Sequence, residues 1–589
     1  MSSRRAWSAI GLLALMLVLL RLPTVDTGLH MDDIAQRAMV EGAYPGARSP
    51  WDLYTFSTGD PGEVATLKRT GALPWWSDPS LRLSALRPLS SVLVWIDATA
   101  LDARAAHVHS LIWWFAMLVA LGWALVPILG ARWAWLAVAL YGLDDAHALP
   151  LAWLANRAAI LSGVFGWLAL GLYARASKAS SPWLLPLAAV TTASMAAGEY
   201  GLSALAYVVV YALVMDRRPW KDRLRALVPV LLPIAGYLLL HRVGGFGAAH
   251  SGVYIDPAAE PLAFVGALLE RAPRLLIDMA TGTPQLLLTG WSAAAVWGTA
   301  FLVFGVGWAL ARWLHPQAER RRAIAWALGG AVVAVVPVCA SFLSDRLTVL
   351  ASVGAHIVSA AVLLAALERM AERRVHASSV VAVAVAGGLL FGHGWVASGS
   401  SAAKVDALRR FNRAGLALVA NMPVEDARAS EERWVLLAAG DPMMLVYPPH
   451  LRSMLGRPRP AAWTVLCLAK GPLSMRRVSA TALEITAASG WMQTPLERFF
   501  RRKDRPLSPE QTEGFEGMKA EVTQVEDGVP MTVRFTFDRP LDDPALRLMS
   551  MGMRGVFRYP LAGVGATMPL APGVDAIAAE AGPVSYTHL

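Results

Sequence analysis

The chain has 589 residues, of which 56% are hydrophobic and 16% charged, and its mean hydropathy is +0.45. That balance excludes a soluble globular protein of this length, because the excess apolar surface must face lipid. The formal charge of +10 does not point to nucleic acid either, since Lys and Arg lie between apolar runs rather than on one stripe interleaved with aromatics.

In chain order, apolar runs occupy residues 6–22, 108–129, 131–149, 157–174, 183–198, 200–215, 226–241, 284–311, 323–343, 347–367 and 377–396. Several fall short of the ~20 residues that a ~30 Å hydrocarbon core requires, so their ends are loosely bounded. The first run follows Arg4 and Arg5 and is succeeded by Arg21-Leu22-Pro23-Thr24 without a small-residue cleavage site. It reads as a retained anchor helix.

Basic residues gather in every second short loop: Arg132; Arg175 and Lys178; Arg217, Arg218, Lys221, Arg223 and Arg225; Arg312 and Arg320 to Arg322; Arg369, Arg373 and Arg374. Because cationic loops resist translocation, this alternation predicts about eleven crossings, with the N-terminus cytoplasmic and the C-terminus outside. An amphipathic stretch, 259–279, is placed on the membrane surface.

The first outer loop, 23–107, carries Trp51, Tyr54, Trp75 and Trp76, a set suited to the bilayer interface. After residue 397 the apolar runs give way to a helix at 402–421 and to alternating segments at 433–439, 463–469, 477–487, 519–526 and 530–537. Asp527-Gly528 between the last two is a strong hairpin signal. The organisation expected is a polytopic α-helical membrane domain, 1–396, followed by a small β-rich extracytoplasmic domain, 397–582. Residues 583–589, Pro-Val-Ser-Tyr-Thr-His-Leu, resemble translated sequencing adapter and are read as a non-native tail. Cys339 and Cys467 lie far apart and suggest neither a disulfide framework nor a zinc spacing.

Ionisable groups at membrane depth are costly, so their placement is informative. In this topology Asp32 and Asp33 follow the first span, Asp144, Asp145 and His147 close the third, Arg157 opens the fourth, Glu199 ends the fifth and Arg346 opens the tenth. All fall on the outer face. Asp32 and Asp33 are either solvated acids at a helix end, or a base for an attacking hydroxyl and a pair able to hold a divalent cation against a phosphate. Asp144 and Asp145 divide between helix-end hydration and a second acidic site, and His147 between an interfacial histidine and a catalytic one. Arg157 and Arg346 either snorkel to headgroups or neutralise a lipid-linked phosphate by bidentate hydrogen bonding. Glu199 is either paired in the interior or exposed in a loop.

These residues, taken in order, resemble the polytopic glycosyltransferases of the GT-C fold, in particular protein O-mannosyltransferase-like members and bacterial relatives of the transmembrane O-mannosyltransferases that carry tetratricopeptide repeats. Leu29-His30-Met31-Asp32-Asp33 matches their acidic motif in the first outer loop, and Leu86-Arg87-Pro88-Leu89 resembles the Arg-Pro-Leu before their second span. His107 resembles the histidine opening that span. The run His147 to Arg157, HALPLAWLANR, resembles their segment after the third span, Gly198-Glu199 the dipeptide after the fifth, and Asp345-Arg346 to Gly354, DRLTVLASVG, their Glu-Arg-Tyr segment. The likeness covers roughly 6–396. Leu149 stands where many members have glutamate, and 397–589 are not tetratricopeptide repeats.

The resemblance implies an inverting transferase that moves a sugar from a polyprenyl-phosphate donor to a protein, glycan or lipid acceptor at the outer face of a bacterial inner membrane. It implies Asp32 or Asp33 as catalytic base and places Arg87, Asp144, Asp145, His147, Arg157, Glu199 and Arg346 on the substrate or its phosphate. No cofactor is required; a divalent cation at Asp32 and Asp33 is compatible. Two competing readings are a transporter or flippase of lipid-linked saccharides, disfavoured by the scarcity of mid-span charges and of inverted repeats, and a non-catalytic membrane scaffold.

Overall fold

The structure is a computed structural model that describes residues 3–177, 183–315, 317–371, 377–440, 442–509, 512–515, 517–552 and 555–571. The tail 583–589 lies outside the described residues.

Every one of the eleven apolar runs is helical. Among the described residues eight helices are long and apolar enough to cross a membrane: Trp7–Asp26, Ala103–Leu129, Leu154–Ala176, Trp220–Val243, Ala293–Leu314, Ala318–Val338, Val353–Ala371 and Val380–Ala420. The remaining runs form Ala131–Leu143, Leu184–Ala197 and Gly201–Val214, helices of 13, 14 and 14 residues. A further apolar helix, Pro88–Ala100, lies in the first outer loop, where none was expected. The stretch 259–279 is the helix Pro261–Thr281.

Aromatic side chains bind the bundle by their polar tips as well as their area. The Tyr207 hydroxyl donates to the Ala351 carbonyl and accepts from the Gly354 amide (2.5 and 2.8 Å), Tyr141 donates to Val349 (2.7 Å), and Trp133 donates to Ile357 (2.7 Å). Two helices, Ala131–Leu143 and Gly201–Val214, thereby fix the segment 349–357, and with it the preceding 3-10 turn Asp345–Thr348.

Outside the bundle, strands Thr55–Thr58, Arg82–Ser84 and Gly247–Ala249 make a small antiparallel sheet. The C-terminal region holds two more. One is a six-stranded antiparallel sheet in the spatial order Thr567–Leu570, Leu473–Arg477, Ala482–Ala487, Val529–Phe537, Met518–Glu526, Thr512–Phe515. The other runs Gly555–Arg558, Leu546–Gly552, Arg433–Ala438, Ala462–Cys467, with parallel pairing between its last three strands. The expected hairpin is present: Asp527 and Gly528 have φ of 48° and 76°, the doubly positive pair that a type I′ turn demands, and Val529 pairs with Glu526. The single segment expected at 477–487 is two strands, because the apolar alternation runs on through the turn at 478–481. The expected helix at 402–421 is the C-terminal part of one continuous helix that begins inside the bundle and ends at Ala420.

Trp75 and Trp76 are buried rather than interfacial, while Trp51 is exposed. Trp75 packs edge-on against Trp491 and Phe535 (centroids 6.0 and 5.4 Å) and donates its indole N–H to the Leu466 carbonyl at 2.9 Å. The Arg501 guanidinium donates to the Trp76 carbonyl at 2.7 Å. A large aromatic is therefore the first outer loop's anchor in the C-terminal sheets, and the two share one hydrophobic core. Trp75→Ala should cost about 3–5 kcal/mol and loosen that docking; thermal unfolding with limited proteolysis in detergent checks it, and wild-type behaviour in both would contradict the anchoring role.

Candidate functional site

The site begins where the first span ends. Met31 has φ 35° and ψ −104°, an uncommon conformation for a residue with a Cβ, immediately before the short helix Asp32–Val40. The two aspartates then take different positions. Asp33 accepts backbone N–H groups from Ala155 (2.6 Å), His30 (3.0 Å) and Leu154 (3.3 Å), so both of its oxygens hold chain together. The half-buried Asp32 carboxylate accepts no hydrogen bond among the described residues. Burial pushes Asp32 up to about 6, against the pull of the Arg346 and Arg87 guanidinium groups, and pushes Asp33 up to about 7, against its three amide donors.

Arg346 stands on the 3-10 turn that the Tyr141 and Tyr207 hydrogen bonds help to fix. Its guanidinium lies over the rings of Trp153 and Phe342, each 5.4 Å from the centroid, and donates to the Tyr200 hydroxyl (3.2 Å) and the Asn156 amide oxygen (3.4 Å). Tyr200 in turn donates to Asn156 at 3.1 Å. Nε has no partner, and no carboxylate pairs with Arg346 among the described residues. A guanidinium held by neutral aromatic and amide supports keeps its whole charge for a further anion.

Arg87 and Glu199 also meet at this site. The Arg87 Nε donates to one Glu199 oxygen at 2.9 Å and a second N–H to the other, while Arg87 lies over Tyr54 (4.8 Å) and Tyr200 (5.5 Å). Burial opposes the charge on Glu199, but Arg87 holds its carboxyl below the ordinary value. Thus Asp32, Asp33, Arg87, Glu199 and Arg346 surround one locality, built from four segments of the chain.

The other candidates lie in different contacts. Arg157 pairs with buried Asp97 and donates to Ser110 at 3.3 Å, and Asp97 also takes His109 Nδ1 at 2.7 Å. The Arg157 charge is already compensated. His147 is fully buried between Trp114 and Tyr141, each ring centroid 4.4 Å away, and donates Nδ1–H to the Asp144 carbonyl at 3.1 Å. Asp145 accepts from Lys404 at 2.7 Å and Ser400 at 2.5 Å, and the same ammonium also donates to Asp345. Asp145 thus joins Lys404 and Asp345, the last one residue along the backbone from Arg346, while Asp144 lies 2.9 Å from His356 Nε2. His107 bonds the carbonyls of Gly28 (2.9 Å) and Leu151 (3.2 Å) and holds the loop.

Sequence reading missed Asp97, Asn156, Tyr200 and Lys404. Asp97, inside the apolar helix Pro88–Ala100, had a readable signal, since a lone acid in such a run calls for a partner. Asn156, Tyr200 and Lys404 had none.

No protein-family model matches the chain, and no curated protein matches it. A solved structure that resembles it is the crystal structure of an oligosaccharyltransferase from Archaeoglobus fulgidus, tethered through a disulfide bond to an acceptor peptide containing the NVT sequon; the identity is 12%, the TM-score 0.42, and 78% of this chain is covered. The chain spans 64% of that protein's length.

Because the folded protein binds the Asp32 proton more tightly than the unfolded chain, ionising Asp32 subtracts stability as pH rises from about 4 through about 6. Displacement from 3.8 to about 6 is worth at most about 3 kcal/mol, and less at a half-buried carboxyl that water screens. Asp32→Asn should therefore unfold at higher temperature than wild type at pH 8 and at the same temperature near pH 4. Equal midpoints at pH 8 would contradict the raised carboxyl.

Proposed function

We propose that the chain is a membrane glycosyltransferase of GT-C type that transfers a sugar from a polyprenyl-phosphate donor to an acceptor hydroxyl at the outer face of a bacterial inner membrane. The observation that carries this reading is the pair Asp32 and Arg346: among the described residues, a carboxylate without a hydrogen-bond donor in the field of a guanidinium without a counter-ion. The ordered set of motifs around them supports the same class.

The Asp32 carboxylate takes the proton of the acceptor hydroxyl as that oxygen forms a bond to the anomeric carbon. The bond between the anomeric carbon and the donor phosphate oxygen breaks, on the opposite side of the sugar, and the configuration inverts. The lipid phosphate leaves with the electron pair, and the unpaired N–H groups of Arg346 stabilise its growing charge. Arg87, fixed by Glu199, adds positive potential without offering its whole fork. Asp33 keeps Asp32 at the head of its helix by holding the backbone of 154 and 155. A divalent ion shared by Asp32 and Asp33 fits poorly, since both Asp33 oxygens already accept backbone N–H groups.

In proteoliposomes supplied with polyprenyl-phosphate-mannose and an acceptor peptide rich in Ser and Thr, Asp32→Asn should lower kcat at least ~100-fold. Arg346→Ala should lower it ~100- to 1000-fold. Turnover in the wild type should fall as pH drops below about 6, where Asp32 takes up a proton. Unchanged turnover in Asp32→Asn would refute the base. Orientation has its own test: both cysteines are buried, so Trp51→Cys offers the exposed thiol. A membrane-impermeant maleimide should label it from the periplasmic side, and labelling from the cytoplasmic side alone would remove the site from the face where the substrate is supplied.

A further inference from the structure

The helix Val380–Ala420 is interrupted by a π-helical segment, Leu390–Val396, near the end of the helix Pro261–Thr281. The two backbones touch there: a Cβ at Gly392 would collide with the Thr281 carbonyl oxygen. π-Turns widen a helix and re-aim a side chain, and they recur at functional sites. The side chain re-aimed here is His393. It is completely buried, its Nε2 lies 3.3 Å from the Ala280 carbonyl, and its Nδ1 has no hydrogen-bond partner among the described residues.

His356 mirrors it. Also completely buried, it places Nδ1 2.7 Å from the Ser352 carbonyl. A carbonyl oxygen only accepts, so in each ring the nitrogen facing the carbonyl carries a proton, and in the neutral ring the opposite nitrogen presents a lone pair. His356 Nε2 lies 2.9 Å from Asp144 Oδ2, within ion-pair distance, and the two imidazole centroids are 4.8 Å apart. Two ring nitrogens and a carboxylate oxygen thus converge within 4.8 Å of one another. One cation at the centre satisfies all three.

The surrounding charge agrees. The carboxylates of Asp144, Asp145, Asp278 and Asp345 lie within one another's field, and the cations among them are Lys404 and Arg21. Burial and the other three aspartates raise the Asp278 carboxyl well above its ordinary value, so the remaining three acids face two bases and the balance favours a bound cation. Backbone carbonyls that hold the far N–H of each histidine are the usual outer support of metal-binding imidazoles.

We propose that Asp144, His356 and His393 form a binding site for a divalent transition-metal ion of the zinc type. Two imidazoles and one carboxylate select such an ion over the oxygen-seeking Mg²⁺ and Ca²⁺. Three protein ligands leave a fourth position for water. Bonds of ~2.0–2.1 Å in tetrahedral geometry would set the ligand atoms ~3.3 Å apart, about 1.5 Å closer than the 4.8 Å within which they lie here. The ion would join the end of the helix Ala131–Leu143, the helix Val353–Ala371 and the start of the helical stalk that leads to the C-terminal sheets. The site shares no residue with Asp32 and Arg346, and the inference does not rest on the transferase reading.

The test uses the full-length protein in nanodiscs, stripped with a chelator, exposed to Zn²⁺ and desalted before elemental analysis. Wild type should hold about one zinc per chain. His356→Ala and His393→Ala should bind at least ~10-fold more weakly, and zinc should raise the unfolding temperature of wild type and not of the variants. Asp32→Asn should keep its zinc. Should the alanine variants fail to fold, His393→Gln, which keeps a polar side chain of similar reach, decides. Co²⁺ in place of Zn²⁺ should give visible d–d bands that disappear in His393→Gln. Folded wild type without stoichiometric zinc, undiminished binding in His393→Gln, or loss of zinc in Asp32→Asn would each overturn the proposal.

Discussion

The carboxylate of Asp33 takes backbone N–H groups from the loop that ends the first span and from the turn at 154 and 155, positions about 120 residues further along the chain. A charged acceptor with several amide donors is among the stronger polar contacts a protein makes, and here it cannot be replaced by water, because the groups are buried. It sets the helix Asp32–Val40 against the turn that carries Trp153, Asn156 and Arg157. Asp32, one residue earlier on that helix, is thereby turned toward Arg346 and Arg87. The two adjacent acids differ in what they do because one is held by amides and the other is not.

Charge compensation sorts the remaining ionic groups in the same way. Arg157 meets Asp97, Arg87 meets Glu199, and Lys404 meets both Asp145 and Asp345. A buried charge without a partner is expensive, so most of the protein's interior cations are matched. Arg346 is stabilised instead by two aromatic faces, a phenol and an amide oxygen, and the cluster at Asp144 by an excess of acid over base. Both departures mark places where an additional ion of defined sign lowers the free energy: an anion at the first, a cation at the second.

The first outer loop and the C-terminal region are usefully considered together. Trp75, Trp76, Trp491 and Phe535 fill one interior, and Arg501 and Asp78 tie the loop backbone to the segment around Phe500. The helix bearing Asp32 therefore has the membrane bundle on one side and the outer core on the other. Tyr44 of the loop and Tyr447 of the C-terminal region both lie in the electrostatic field of Asp32. The outer region contributes to the walls of the site and is more than an appendage.

Hydropathy alone determined that the chain is a multi-pass helical protein followed by a strand-rich region, and turn chemistry alone located the Asp527-Gly528 hairpin, because lipid burial and positive φ are demands on individual residues or short windows. The order of Asp32, Arg87, Glu199 and Arg346 along the chain was equally legible. What the sequence did not contain was the pairing. Asn156, Tyr200 and Lys404 acquire meaning only when helices distant in sequence pack together, and Trp75 exchanged the expected interface for a core because a sheet arrives from 400 residues later to cover it. Likewise His393 sits in an apolar run that reads as plain membrane helix until a π-turn directs it at Asp144 and His356. Burial and charge balance are properties of neighbours in space, and those neighbours were decided by the tertiary structure.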